Sequence, residues 1–306
     1  MFYKINHPEI FQGHLNKKNY FEGWYFKYIS KDRNVSFACI PGISLNTHDP
    51  HAFIQVYLSK QGTLETYYIR YSVEDFSYHP KKMLISIGAS TFAKEEIILD
   101  IQHDTLTLQG HLIHQDITPL DTSLISPNIM GPLAYLPMME TKHGIISMRH
   151  TVTGSLLQGS EVISFQDTIA YLEKDWGTSF PKKYTWLQSA HFKDKETAFF
   201  FSYASIPYLK INFNGFICVL KIGNKQYRFA TYNFSKVTSI KYTSHSVSVT
   251  LKRGSYVLDI QAKTDTFVDL PSPKDGQMNQ FIKEGLSGEI ELKLYRKKTL
   301  IYEDKG

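Results

Sequence analysis

An internal repeat in the chain of 306 residues constrains its fold more than any other feature. Residues 24–32 and 186–194 both begin with Trp and end with Lys-Asp, and each leads to an Ile-Pro pair. Phe-Ser at 76–77 precedes Leu-Asp-Ile-Gln at 99–102, and the same motifs recur at 234–235 and 258–261. The later members follow the earlier ones by 162, 158 and 159 residues. Ordered matches at nearly one offset predict two copies of one unit, with shared composition alone as the alternative.

The repeated unit has the pattern of β-strands. Apolar and polar residues alternate along residues 53–58, 105–109, 246–251 and 289–294, which is the period of a half-buried strand. Gly, Asn, Asp and Pro interrupt these runs at short intervals, as in sandwiches and barrels. We therefore predict an all-β fold of two tandem antiparallel β-barrels, in domains 1–178 and 179–306. One short helix is expected over residues 278–283.

Composition limits the class of protein. An excess of 34 Lys and Arg over 29 Asp and Glu gives a net charge of only +5, weak for a nucleic-acid partner. The two cysteines, Cys39 and Cys218, are far apart, so a disulfide framework is not expected and a reducing compartment is. No apolar run approaches the roughly 20 residues that span a bilayer. These features predict a cytoplasmic protein with at most peripheral membrane contact.

Standard catalytic motifs are missing from the sequence. It has no phosphate-binding GxxxxGK[ST], no GxGxxG after a strand, no GxSxG and no HExxH. The twelve histidines are poorly spaced for a metal site, since His111 and His114 would lie on opposite faces of one strand. We expect no metal and treat these histidines as exposed or hydrogen-bonded.

The first candidate segment is residues 20–27. If it is a strand and Lys27 points to water, Glu22 lies on the inner face with Trp24. A carboxylate among aromatic rings has a raised pKa, as a general acid requires. The alternative is a structural one, in which Trp24 plugs the barrel and Glu22 pairs with a buried Arg70 or Arg149.

The second candidate segment, residues 171–188, places two acids and two tryptophans around a Gly/Pro loop. Glu173 shares a face with Tyr171 by alternation, and Trp186 shares one with Gln188. The loop could line the mouth of an aromatic cavity where the two barrels meet, or serve only as an interdomain clamp.

These segments resemble a known family. Residues 21–27 (Phe-Glu-Gly-Trp-Tyr-Phe-Lys) and 173–181 (Glu-Lys-Asp-Trp-Gly-x-x-Phe-Pro) are similar to the two signatures of the tocopherol cyclase family. So are residues 131–140, His143-Gly144 and Leu286-Ser287-Gly288-Glu289. The resemblance implies two tandem lipocalin-like antiparallel β-barrels, as in carotenoid hydratases and fungal Diels–Alderases. One departure is Ala190, where the family has Asn.

The resemblance implies an intramolecular cyclase that closes a ring on a prenylated quinol or related isoprenoid by acid catalysis and without a cofactor. The alternatives are a non-catalytic protein that binds an isoprenoid, quinone or lipid, and a hydratase acting on a prenyl chain. Either way, the expected partner is a hydrophobic small molecule. His143, His150 and His191 are the candidate acceptors of the phenolic proton. The candidate acids are Glu22, Glu173 and Asp175, and the candidate substrate contacts are Trp24, Tyr25, Glu140, His143, Trp176, Phe180, Trp186, Gln188 and His191.

Overall fold

The structure is a computed structural model that describes residues 2–60, 62–137, 139–208, 211–285 and 288–306. It divides into two compact units. Unit 1 comprises residues 1–130, 139–180 and 271–280, and unit 2 comprises residues 131–138, 181–270 and 281–306. Almost every regular element in the described chain is a β-strand, so the predicted all-β fold class is confirmed. Leu286 and Ser287 of the last family-like motif lie outside the described residues.

Unit 1 is an antiparallel sheet of twelve strands that runs in the order β4-β3-β2-β1-β12-β10-β9-β8-β7-β6-β5, with β11 paired to β10. A short helix precedes it, and a 3₁₀ turn at Val73–Asp75 follows β4. The elements are α1 (Phe2–Asn6), β1 (Phe21–Ile29), β2 (Val35–Ser44), β3 (His51–Lys60), β4 (Thr63–Tyr71), β5 (Phe76–Tyr78), β6 (Leu84–Ile87), β7 (Ser90–Ala93), β8 (Glu96–His103), β9 (Leu106–Thr118), β10 (Thr141–Gln158), β11 (Glu161–Ser164) and β12 (Thr168–Gly177).

One face of this sheet encloses an apolar core. Along β1 the side chains of Trp24, Phe26 and Tyr28 enter the core, as period-two alternation requires. From β12, Leu172 and Trp176 enter the same core. We call this side of β1, β10 and β12 the inner face and the opposite side the outer face.

Unit 2 contains a four-stranded sheet in the order β13-β14-β15-β16 and a five-stranded sheet in the order β17-β18-β19-β22-β23. Two 3₁₀ turns lie at Gly131–Tyr135 and Thr231–Asn233. The strands of these two sheets are β13 (Tyr184–Ser189), β14 (Ala198–Tyr208), β15 (Ile211–Ile222), β16 (Lys225–Ala230), β17 (Lys236–Tyr242), β18 (Ser246–Arg253), β19 (Tyr256–Lys263), β22 (Glu289–Arg296) and β23 (Thr299–Lys305). Strands β20 (Val268–Lys274) and β21 (Gln277–Glu284) form a separate two-stranded sheet, of which residues 271–280 belong to unit 1.

The repeat in the sequence corresponds to a repeat in the order of elements. Trp24 lies on the first strand of the β1–β4 meander, and Trp186 lies on the first strand of the β13–β16 meander. A 3₁₀ turn follows each meander, and the Leu-Asp-Ile-Gln motifs lie on β8 and β19. Superposition of the two tryptophans when the units are overlaid stays a prediction.

The helix predicted over residues 278–283 is wrong, because these residues belong to strand β21, which pairs with β20. Asp275 and Gly276 connect the two strands with φ angles of 50° and 74°. Asp-Gly with both φ angles positive is the two-residue turn that best matches the twist of a β-hairpin. No helix in the described chain is long and apolar enough to cross a membrane.

Candidate functional site

Strand β12 lies between β1 and β10, and its register with both neighbours decides which side chains meet. His143 of β10 is opposite Asp175, and Tyr25 of β1 is opposite Glu173. Directly opposed residues of antiparallel strands point to the same face. Glu173 and Asp175 therefore share the outer face with His143 and Tyr25, while Lys174 between them points to the inner face.

On the outer face these residues form what we call the acid–histidine cluster: His143, Tyr171, Glu173 and Asp175. The imidazole of His143 lies between the two carboxylates, with Nδ1 at 2.8 Å from Oδ1 of Asp175 and Nε2 at 3.4 Å from Oε2 of Glu173. The Tyr171 hydroxyl donates a hydrogen bond of 2.5 Å to Oε2 of Glu173. The side chain of Asp175 is 25% exposed, against 15% for His143 and 6% for Glu173. Asp175 is thus the acid most accessible to a reactant.

The cluster favours a protonated imidazole. Burial opposes the charged form of His143, but the carboxylates of Asp175 and Glu173 outweigh it and raise the pKa of His143 to about 9. An imidazolium donates from Nδ1 to Asp175, and its Nε2 lies at ion-pair distance from Oε2 of Glu173. Burial, with Glu173 adding to it, raises the pKa of Tyr171 well above its usual value, which keeps the phenol protonated. At neutral pH the cluster holds a proton within reach of a partly exposed carboxylate, that of Asp175.

Three members of the cluster, His143, Glu173 and Asp175, are the group in the described chain whose ligand atoms lie close enough together for a metal ion. These atoms all lie within 4.8 Å of one another. His143 turns one nitrogen toward each carboxylate, an arrangement in which a proton can pass between the imidazole and the acids.

Backbone geometry at the end of β12 holds the cluster in place. Gly177 has a φ of 153°, and a Cβ at this position would lie 2.0 Å from the carbonyl oxygen of Glu140. That oxygen accepts the backbone N–H of Thr178 at 2.7 Å. The Gly of the Glu-Lys-Asp-Trp-Gly motif therefore allows β10 and β12 to approach closely beside His143 and Asp175.

On the inner face Glu22 is a fully buried carboxylate whose oxygens are satisfied. It forms an ion pair with Lys174, and both side chains are 0% exposed. Tyr20 donates its hydroxyl to Oε2 of Glu22 at 2.5 Å, and the backbone N–H groups of Gln12 and Gly13 donate to the carboxylate at 2.8–3.0 Å. Burial lowers the pKa of Lys174, against the opposing effect of the Glu22 carboxylate. These contacts describe a structural carboxylate.

Two expectations for this region are therefore wrong in detail. The cation beside Glu22 is Lys174 and not an arginine, and Arg70 instead pairs with Asp49 near the surface. Lys27, expected to point to water, is buried at 7% exposure. Strand β1 is buried on both faces, so alternation along it separates two buried environments instead of core from solvent.

The remaining predicted residues are distributed over both units. In unit 1, Trp24 and Trp176 lie on the inner face, Tyr25 lies on the outer face, and the ring of Phe180 packs against Phe21 at 5.3 Å. Glu140 is exposed. In unit 2, β13 carries Trp186 and the buried Gln188, followed by Ala190 and His191 in the next loop.

His150 does not join the acid–histidine cluster. It is 1% exposed inside unit 1, where its ring lies 4.7 Å from that of His114. Burial lowers the pKa of both rings, that of His114 to about 4. Since Ser147 donates its hydroxyl to the carbonyl of Arg149, Nδ1 of His150 must donate to Ser147, and Nε2 has no hydrogen-bond partner among the described residues.

Sequence reasoning assigned no role to Tyr171, Lys174 or Tyr20. Tyr171 and Lys174 stand within or beside the Glu-Lys-Asp-Trp-Gly motif, and alternation alone places Lys174 opposite in direction to its two acidic neighbours. That signal separates Lys174 from its acidic neighbours but does not say which of the two faces is the inner one.

Comparison with known proteins assigns the sequence that carries this site to a family. The family described as tocopherol cyclase-like matches residues 121–305, a range that includes β10, β12 and the whole acid–histidine cluster. This chain belongs to the tocopherol cyclase-like family. No functionally curated protein matches its sequence.

Solved structures with the same fold share little sequence with this tocopherol cyclase-like chain. CghA, crystallised with Sch210972, is similar with a TM-score of 0.59 and 9% identity over 94% of this chain and 86% of that chain. Kievitone hydratase from Nectria haematococca has a TM-score of 0.51 and 11% identity over 97% and 92% of the two chains. These likenesses agree with the all-β, lipocalin-like fold class expected from the sequence.

Proposed function

We propose that this protein is an enzyme of the cyclase type that closes a ring on a prenylated quinol or related isoprenoid by acid catalysis. The observation that carries the proposal is the imidazole of His143 held between Asp175 and Glu173 on one face of strand β12. A protonated histidine that is hydrogen-bonded to a partly exposed carboxylate can both donate and accept a proton. The family name supports the reaction class.

Within the cluster each residue has a separate role. Asp175 is the group that meets the substrate, because it is the most exposed of the three charged side chains. His143 supplies its proton and takes it back. Glu173, fixed by the Tyr171 hydroxyl, orients the imidazole. Tyr25, opposite Glu173, offers an aromatic ring on the same face as positive charge develops on the prenyl chain.

The reaction leaves the protonation state of the enzyme unchanged. The Asp175–His143 pair gives a proton to one carbon of the prenyl double bond, and the other carbon becomes a tertiary cation. The phenol oxygen forms the new C–O bond to this cation, and the phenolic proton returns to the pair. Substrate and product are isomers.

Glu22 does not fit the role of acid. Its carboxylate is fully buried and is satisfied by Lys174, Tyr20 and two backbone amides. Trp24 and Trp176 are engaged on the inner face, where Nζ of Lys174 lies 4.6 Å and 5.0 Å from their rings. We therefore assign these three residues to structure and the acid–histidine cluster to chemistry.

The test is incubation of the purified protein with a prenylated hydroquinone in D₂O, with mass spectrometry of the product. Ring closure yields an isomer with one deuterium on carbon, and Asp175→Asn should abolish most of it. Asp167→Asn, in the exposed turn before β12, is the matched control.

Other outcomes correct the proposal. A product heavier by one water identifies a hydratase, in which water and not the phenol attacks the cation. Tight binding of the hydroquinone without turnover, or a lipid that co-purifies in native mass spectrometry without being converted, identifies a binding protein and overturns the catalytic assignment.

A further inference from the structure

Alternate residues of strands β10 and β12 point to the outer face and to the inner face of the sheet. His143, Glu173 and Asp175 face outward, while Gly144 and Lys174, which are directly opposite each other, face inward. The residues of the acid–histidine cluster on the outer face and the residues that make the inner contacts are therefore direct neighbours along the same two strands.

The inner contacts bind residues 8–13 of the chain. Nζ of Lys174 donates to the carbonyl of Pro8 at 2.9 Å and to the carbonyl of Ile10. The indole N–H of Trp24 donates to the carbonyl of Glu9 at 2.8 Å. We call this bound stretch, residues 8–13, the N-terminal strap.

Glu22 completes the attachment from the other end of the strap. It accepts the backbone N–H groups of Gln12 and Gly13, so its charge is shared between the strap and Lys174. Carbonyls of the strap satisfy the buried lysine, and amides of the strap satisfy the buried glutamate. Removal of the strap would leave two buried charged groups short of hydrogen bonds, which buried charges do not tolerate.

Gly144 makes room for the strap. A Cβ at this position would lie 2.7 Å from Cβ of Pro8 and 3.3 Å from the ring of Trp176. The His-Gly pair thus carries one function on each side of β10: His143 belongs to the cluster, and Gly144 admits Pro8 against the sheet.

We propose that the N-terminal strap and the Lys174–Glu22 ion pair form a positioning device that fixes β12 against β10 and so sets the distances between His143 and its two carboxylates. Lys174 and Glu22 are positioning residues, which act through Glu173 and Asp175 and touch no substrate. The catalytic consequence rests on the proposed function, but the geometric claim does not. In some proteins a buried polar or ionic group fixes a unique arrangement, which is the property such a device needs.

The test releases the strap in the full-length protein and measures the cluster by NMR without substrate. Lys174→Met combined with Glu22→Gln removes both charges together, so the direct electrostatic effect on His143 largely cancels. Gly144→Ala changes no charge and pushes mainly against Pro8, with a weaker contact to the ring of Trp176. Lys60→Met with Glu161→Gln, the same exchange in an exposed ion pair of unit 1, is the matched control.

Both strap variants should speed hydrogen exchange at the amides of Gln12 and Gly13, and the titration midpoint of His143 should fall by at least half a pH unit, a shift that corresponds to roughly a threefold change in proton affinity. The control should change neither. A folded strap variant with fast exchange at these amides and a wild-type His143 titration overturns the proposal, as does unchanged exchange. If the double variant does not fold, Gly144→Ala alone decides.

The two proposals fail separately. A wild-type protein that converts no prenylated hydroquinone removes the proposed function and leaves the NMR result standing. If turnover is observed, strap variants should lower kcat more than they raise KM and shift the alkaline limb of the pH profile.

Discussion

Nδ1 of His143 lies 2.8 Å from Oδ1 of Asp175, although 32 residues separate them in the sequence. The contact arises because β10 and β12 pair in a register that places the two residues directly opposite each other. A charge-assisted hydrogen bond of this length is roughly twice as strong as a neutral one. The pair is therefore the most specific chemical feature of the outer face.

Replacement of Asp175 by Asn should lower turnover of a prenylated hydroquinone by about 10²- to 10⁴-fold, the usual contribution of acid catalysis. Affinity should change little, since Asn keeps the size and part of the hydrogen bonding of Asp. Steady-state kinetics with isothermal titration check this, and Asp167→Asn should behave as wild type. Full activity of Asp175→Asn would move the acid to Glu173.

The raised pKa of His143, about 9, gives an alkaline dependence with a definite sign. Between the unfolded pKa near 6.5 and about 9, the folded protein binds the extra proton, so its free energy of unfolding falls as pH rises through this window. The slope should reach up to about 1.4 kcal/mol per pH unit. Urea denaturation from pH 6 to 10 measures it, and His143→Gln should flatten the curve.

The buried pair His114 and His150 predicts the opposite dependence on the acid side. Burial lowers the pKa of both rings, so the unfolded state binds more protons below pH 6.5, and the free energy of unfolding falls as pH drops toward about 4. His150→Leu should reduce this acid sensitivity, because it removes a titrating ring whose Nε2 lacks a partner. Denaturation at pH 7 and pH 5 tests it; equal losses in wild type and variant would contradict the assignment.

Glu22→Gln should act on stability and not selectively on chemistry. It removes the counter-ion of the buried Lys174, which must then either stay charged without a partner or lose its proton, and breaking a buried pair in this way costs about 3–5 kcal/mol in unfolding free energy. Glu161→Gln, which breaks an exposed pair with Lys60, should cost under about 1 kcal/mol. Urea denaturation of both variants at pH 7 gives the comparison. Normal stability with greatly reduced turnover for Glu22→Gln would restore this residue as an acid.

Local pattern predicted the strands, and it predicted which side chains of β1 and β12 share a face. Alternation placed Glu22, Trp24, Phe26 and Tyr28 together, and all four are fully buried on the inner face. Alternation also placed Glu173 on the same face as Tyr171, and the Tyr171 hydroxyl donates a hydrogen bond to Glu173. These successes share a cause, since period-two geometry depends only on near neighbours in the chain.

Contacts between distant strands were not predictable in the same way. Lys174 lies 152 residues after Glu22, and only the register of β1 with β12 brings them together. The sequence does not specify that register by local pattern, so an arginine was expected where a lysine is found. The hairpin at Asp275-Gly276 is different, because Asp-Gly is a local sequence signal for a hairpin turn. The helix expected over residues 278–283 did not take that signal into account.

The strap is bound through its peptide groups, by the side chains of Lys174, Glu22 and Trp24. These hydrogen bonds do not depend on the identity of the strap's side chains, but Ile10 and Phe11 are buried, and Phe11 belongs to the apolar core of unit 1. Gly13 is constrained as well, because a Cβ there would lie 2.4 Å from the ring of Tyr20. In related chains the strap should accordingly be recognisable by two apolar positions followed by a glycine, together with the three residues across the sheet that bind its peptide groups.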